Sequence, residues 1–183
     1  MQLSRQARAK AVPTRDQLLE RLVAVASKRA YRIAYDLLRN RAEAEDAVQE
    51  SLTSVCRSHG ALRDEALAEA WFLRIVTRSC LRILRRRRLR EAFWGSIEEA
   101  PTPSTSADGE QLLCGSQQAQ HLVRHLQRLP TMQRSTLTLR YGHDMSVGEI
   151  ASLMDIKPSS VKTHLVRGMR RLREQILPEG EIE

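Results

Sequence analysis

Aromatic residues make up only 4% of this 183-residue chain, and glycine and proline number just 8 and 6. So few turn formers and strand-favouring rings argue against a sandwich or barrel, while the abundant Ala, Leu, Arg and Glu favour helices. The three cysteines, Cys56, Cys80 and Cys114, are odd in number, widely spaced and form no CxxC pair. Neither a disulfide framework nor a thiolate zinc site is indicated. No run approaches the roughly 18 apolar residues of a membrane span, and the N-terminus lacks the apolar core of a secretory signal. A cytoplasmic chain with no membrane span is expected. GxGxxG, P-loop, HExxH and GxSxG motifs are also missing, which speaks against an enzyme, a cofactor or a small-molecule substrate.

Positive charge is what the chain has in excess. Lys and Arg total 30 against 22 Asp and Glu, a formal net charge of +8. Such a surplus suits a polyanionic partner, either nucleic acid or an anionic membrane surface.

Apolar periodicity predicts an all-α fold: two small helical domains joined by a flexible linker, the C-terminal one a helix-turn-helix. Residues 1–14 read as a basic arm, 15–92 as the first domain, 93–115 as the linker, 116–177 as the second domain and 178–183 as a tail. Thr14 with Gln17 fits a capping box opening a long helix over about 15–39, with Leu18, Leu19, Leu22, Val23, Val25, Ala26, Ile33, Leu37 and Leu38 as its apolar positions. Asn40 is placed to cap a second helix whose other face carries Glu43, Glu45, Asp46 and Glu50. A polar loop around His59 to Glu65 leads to a third helix ending in the basic run Arg85 to Arg90. The linker is marked by Pro101, Pro103, Ser104, Thr105, Ser106 and Gly109. Beyond it, Ser146 with Glu149 is a second capping box, opening a short helix over Val147 to Met154. Pro158 suits the first turn of a final helix running to about Ile176.

The final pair of helices has the helix-turn-helix pattern. Ser159, Ser160, Lys162, Thr163 and His164 put hydroxyls and cations where a recognition helix meets base edges. Val161, Leu165 and Met169 face inward, and Arg167, Arg170, Arg171 and Arg173 are spaced to follow phosphates. A solvated basic helix closing a small bundle is the plainer alternative.

The stretch LQRLPTMQRSTLTLRYGHDMSVGEIASLMDIKPSSVKTHLVRGMRRLRE resembles the region of bacterial sigma factors that reads the minus-35 promoter element, in the form usual for extracytoplasmic-function members. RAEAEDAVQESL resembles the same family's polymerase-contacting helix, with its DxxQE core present as Asp46, Gln49 and Glu50. AWFLRIVTRSCLRILRRRR is similar to the segment that contacts the minus-10 element. There Trp71, Phe72, Ile75 and Arg85 keep the pattern, while Arg78 stands where the family commonly has Asn and Arg82 where it commonly has Asp. The resemblance covers about residues 15–90 and 117–175.

This resemblance implies a specificity subunit that directs core RNA polymerase to promoters and assists DNA opening. It would dock through Asp46, Gln49 and Glu50 on the β′ clamp helices, meet the β subunit as well, and answer to an anti-sigma factor. Arg74, Arg78, Arg82, Arg85 and Arg86 are the candidate minus-10 DNA contacts. Ser159, Ser160, Lys162, Thr163, His164, Arg167, Arg170 and Arg171 are the candidate minus-35 contacts. Extra arginines should strengthen phosphate attraction more than base discrimination. Trp71 and Phe72, at helical spacing, are expected mainly in the core. A stand-alone helix-turn-helix regulator is the alternative, and it would not need the acidic triad. Cys114, His121 and His125 form C-x6-H-x3-H, but without an evident fourth ligand no metal is expected.

Overall fold

The computed structural model describes residues 14–58, 67–94 and 117–176, all helices and their connections. Among these residues eight α-helices follow one another: α1 Arg15–Arg21, α2 Ser27–Leu38, α3 Arg41–Arg57, α4 Ala68–Trp94, α5 Gln117–Gln127, α6 Thr131–Leu137, α7 Val147–Met154 and α8 Pro158–Ile176. The polar loop expected around His59 to Glu65, the arm and the linker signals lie outside the described residues.

The caps form as the sequence pattern demands. Thr14 and Gln17 exchange backbone-to-side-chain hydrogen bonds of 3.0 and 3.4 Å at the start of α1. Asn40 accepts the Glu43 backbone N–H at 3.0 Å, satisfying an otherwise free donor of the first turn of α3. Ser146 and Glu149 close a full capping box on α7.

One expected long helix over 15–39 is instead interrupted. A π-helical turn at Leu22–Ala26 separates α1 from α2, and Arg39 ends α2 in the left-handed conformation. The wider turn changes the phase of the apolar stripe. Leu22 and Ala26 are buried, whereas Val23 and Val25 face solvent at 53% and 63% exposure. A second π-helical turn, Thr138–Gly142, extends α6.

Helices α2, α3 and α4 pack mutually, and α8 packs on α5, α6 and α7. Phe72, Ile33, Leu38, Val55 and Val76 are fully buried in the first group. Each such side chain contributes roughly 1.5–3 kcal/mol by leaving water. Trp71, in contrast, is only partly buried against that core. At α8, Val161 is fully buried and Leu165 and Met169 are partly buried, the inward face expected of them.

The two groups are also packed against each other. α4 lies on α7, so the apolar cluster continues from Phe72 and Val76 into Ile150, Leu153 and Met154. Two polar contacts span this junction. Arg78 Nη2 lies 2.7 Å from Asp155 Oδ1, and His143 Nε2 lies 3.1 Å from Asp36 Oδ2. The histidine nitrogen is poorly aligned for a hydrogen bond, although both side chains are nearly buried, at 6% and 11% exposure.

Candidate functional site

Asp46, Gln49 and Glu50 all reach solvent from one side of α3, while Ala44, Ala47, Val48, Ser51 and Val55 bury the other. The helix therefore presents an acidic row backed by a rigid apolar seam, with its N-terminus fixed by Asn40. Arg41 and Glu45 pair with each other at 3.0 Å on that exposed surface.

The arginines of α4 do not form one surface. Arg74, Arg78 and Arg85 recur at spacings of four and seven, which place them on one row of the helix. Arg86 and Arg90 follow Ser79 and Ile83 on another row. That second row, with Arg82 at its margin, lines a groove whose far wall is Glu43, Asp46, Ala47 and Glu50 of α3. The acidic face and part of the basic face thus share a groove instead of standing apart.

Arg87 has a separate task. Its guanidinium donates to both carboxylate oxygens of Glu43 and, at 3.1 Å, to the Leu38 carbonyl. It fastens α4 to α3 and to the end of α2, and a bidentate arginine–carboxylate pair fixes geometry as well as charge. Within the run Arg85 to Arg90, nothing in sequence distinguishes this residue; the signal is the Glu43 partner, visible only in three dimensions.

In the helix-turn-helix, the capping box and the left-handed Asp155 set the angle between α7 and α8. Ser159, Lys162, Thr163, Arg167, Arg170 and Arg171 are exposed, while Ser160 and His164 are half-buried. Thr163 donates its hydroxyl to the Ser159 carbonyl at 3.0 Å, Arg170 pairs with Glu174 at 3.5 Å, and Arg171 reaches Gln133 of α6 at 3.4 Å. Partial burial, followed by the neighbouring Arg167 charge, holds the His164 imidazole below its ordinary pKa. Neutral imidazole offers one donor and one acceptor.

The rings of His121 and His125 lie 6.5 Å apart, and His125 Nδ1 approaches Gln175 Oε1 at 3.4 Å. Cys114 is outside the described residues. Among those described, no group of three His, Cys, Asp or Glu side chains is placed to hold a metal.

Comparison with known proteins assigns both halves. The family model for Sigma-70 region 2 matches residues 22–90, and that for Sigma-70 region 4 matches residues 120–172. The RNA polymerase sigma factor CarQ of Myxococcus xanthus is 32% identical over 149 residues, covering 80% of this chain and 82% of that protein.

This chain belongs to the RNA polymerase sigma factor family, in its extracytoplasmic-function group.

Bacillus subtilis sigma factor SigV is 26% identical over 149 residues, with 81% and 85% of the two chains covered. The fold also superposes, with a TM-score of 0.62, on that of the sigma factor RpoE in complex with the anti-sigma factor NepR from Bartonella quintana. That likeness covers 88% of this chain and 97% of that one at 19% identity, and concerns the fold. Region 2 of the sigma factor thus contains α2, α3 and most of α4, and region 4 contains α6, α7 and most of α5 and α8. No helix among the described residues is long and apolar enough to cross a membrane.

Proposed function

We propose that this sigma factor gives core bacterial RNA polymerase its promoter choice and assists DNA opening, without performing covalent chemistry itself. The observation that carries the reading is the exposed acidic row Asp46, Gln49 and Glu50 in the same chain as a helix-turn-helix with a polar, exposed N-terminal turn. A stand-alone regulator needs the second feature and has no use for the first.

The acidic row would dock on the β′ clamp helices, with the β subunit completing the polymerase contact. Ser159, Ser160, Lys162, Thr163 and His164 would meet minus-35 base edges while Arg167, Arg170 and Arg171 follow the phosphates. Arg74, Arg78 and Arg85 would attract minus-10 DNA. Arg82 and Arg86, candidates for the same duty, stand on the groove beside α3. Asp155 engages Arg78, so DNA would have to compete with that carboxylate for the arginine. The 22 residues from 95 to 116 join the two regions and keep each at a high effective concentration for its own half of the promoter.

Control by an anti-sigma factor that covers both reading surfaces is part of the proposal, supported by the NepR complex of the structural relative. A cytoplasmic location follows from the same role, with retention at the membrane through such an inhibitor.

Run-off transcription with purified core polymerase on a pool of promoter fragments from the source genome tests the reading. Defined start sites that require the chain, and that disappear with Asp46→Lys plus Gln49→Ala, are expected. Specific operator binding by the chain alone, with no initiation on any fragment, would establish the stand-alone regulator instead.

A further inference from the structure

The groove between α3 and α4 is electrically balanced. Glu43, Asp46 and Glu50 line one side and Arg82, Arg86 and Arg90 the other, with buried Ser79 and half-buried Ile83 between them. Glu43 is engaged by Arg87. No ion pair joins Asp46 or Glu50 to Arg82, Arg86 or Arg90, so the charges across the groove remain available to a partner.

Phosphate is a poor occupant for such a place. A polyanion drawn to Arg86 and Arg90 would also meet Asp46 and Glu50, so the attraction of one wall is opposed by the other. A protein surface carrying both signs in the inverse order gains on both walls and is selected against the wrong register by like-charge repulsion.

Resting on the polymerase reading above, we propose that Arg82, Arg86 and Arg90 are polymerase-docking residues, the basic wall of the groove whose acidic wall is Asp46 and Glu50, and that they meet carboxylates on the helical segment of core polymerase that α3 contacts. The DNA-facing set on α4 is then the other row, Arg74, Arg78 and Arg85. Arg82 acquires a specific meaning. Where the resembling family commonly has Asp, this chain places a cation at the groove margin, so the partner surface must present a carboxylate there. Residue 82 tunes which polymerase surface is preferred.

Fluorescence anisotropy of the labelled full-length chain with purified core RNA polymerase, in the absence of DNA, tests this directly. Arg86→Glu should weaken core binding at least tenfold and Arg86→Gln severalfold. Arg88→Glu, the same charge change on an exposed neighbour outside the groove, should stay within threefold of wild type. All these side chains are exposed, and circular dichroism melting checks that each variant folds. Wild-type core affinity for Arg86→Glu, or equal losses for Arg86→Glu and Arg88→Glu, would each overturn the proposal. A wild-type chain that fails to bind core polymerase at all would bring down the polymerase reading itself.

Discussion

Arg78 of α4 holds Asp155, the left-handed residue that ends α7, with Nη2 2.7 Å from Oδ1. This pair bridges regions 2 and 4, whose sequences are separated by the linker. Both side chains are substantially exposed, 42% and 73%, so water and salt screen the attraction. The junction is held mainly by the apolar contact of α4 with α7.

Asp155→Asn keeps a residue type tolerant of the left-handed backbone and removes the charge. It should lower stability by about 0–1 kcal/mol, the range of exposed pairs. A double-mutant cycle with Arg78→Asn, followed by thermal denaturation at low and high salt, should give a coupling that vanishes at high salt. A coupling that survives high salt would mean that the two residues interact through packing.

Ser146→Ala should destabilise region 4 by about 1 kcal/mol through loss of the α7 cap. The effect should depend on pH. Hydrogen bonds from the Ser146 hydroxyl, and then from its backbone N–H, hold the Glu149 carboxyl below its usual range. Stability linked to this depressed pKa is present above 4.5, the ordinary value, and is lost as pH falls through the folded one. Urea denaturation across pH 3–7 should therefore show a shallower acid decline for Ser146→Ala than for wild type.

Gly168 of α8 lies close against Leu137 and Gln133 of α6. A Cβ there would lie 3.0 Å from Leu137 Cδ1 and 3.2 Å from Gln133 Cβ. Gly168→Ala gains up to about 1 kcal/mol of helix propensity and loses part of it to this crowding. Gly168→Leu overpacks the contact and should cost about 1–3 kcal/mol, read as a lower denaturation midpoint.

The His164 imidazole should titrate with a midpoint below 6.5 when its ring protons are followed by nuclear magnetic resonance. Partial burial is the larger cause and Arg167 the smaller, so Arg167→Ala should raise the midpoint only partway. The stability linked to this group is present above 6.5 and declines as pH falls toward the lowered value. A midpoint at or above 6.5 in the free chain would refute the neutral recognition-helix histidine.

Burial pushes the Cys80 thiol up to about 12, whereas Cys56 is only partly buried. In a Cys56→Ala plus Cys114→Ala chain, Cys80 should resist a thiol-specific reagent at pH 8 until denaturant is added, because the reactive species is the thiolate. Stability linked to Cys80 holds below 9.0 and is lost as pH rises toward the folded value.

The sequence by itself determined most of the helices, their caps and the helix-turn-helix, because these are local, but not the π-helical turn at Leu22–Ala26 that divides the first helix. Thr14 with Gln17, Asn40 with Glu43, and Ser146 with Glu149 satisfy backbone donors within a single turn, so three-residue spacing predicts them. Helical periodicity likewise placed Phe72 and Val161 inside, since a stripe of apolar residues has only one stable place to go. Tertiary structure alone decided which arginine of α4 does what. Arg85, Arg86 and Arg87 are neighbours in sequence, yet one lies on the row of Arg74 and Arg78, one lines the groove with Asp46, and one is tied to Glu43. The joining of α4 to α7 and the depth of Gly168 against α6 were equally out of reach. Periodicity records which side of a helix avoids water and carries no information about the distant element that covers it; that partner is fixed only when the chain packs.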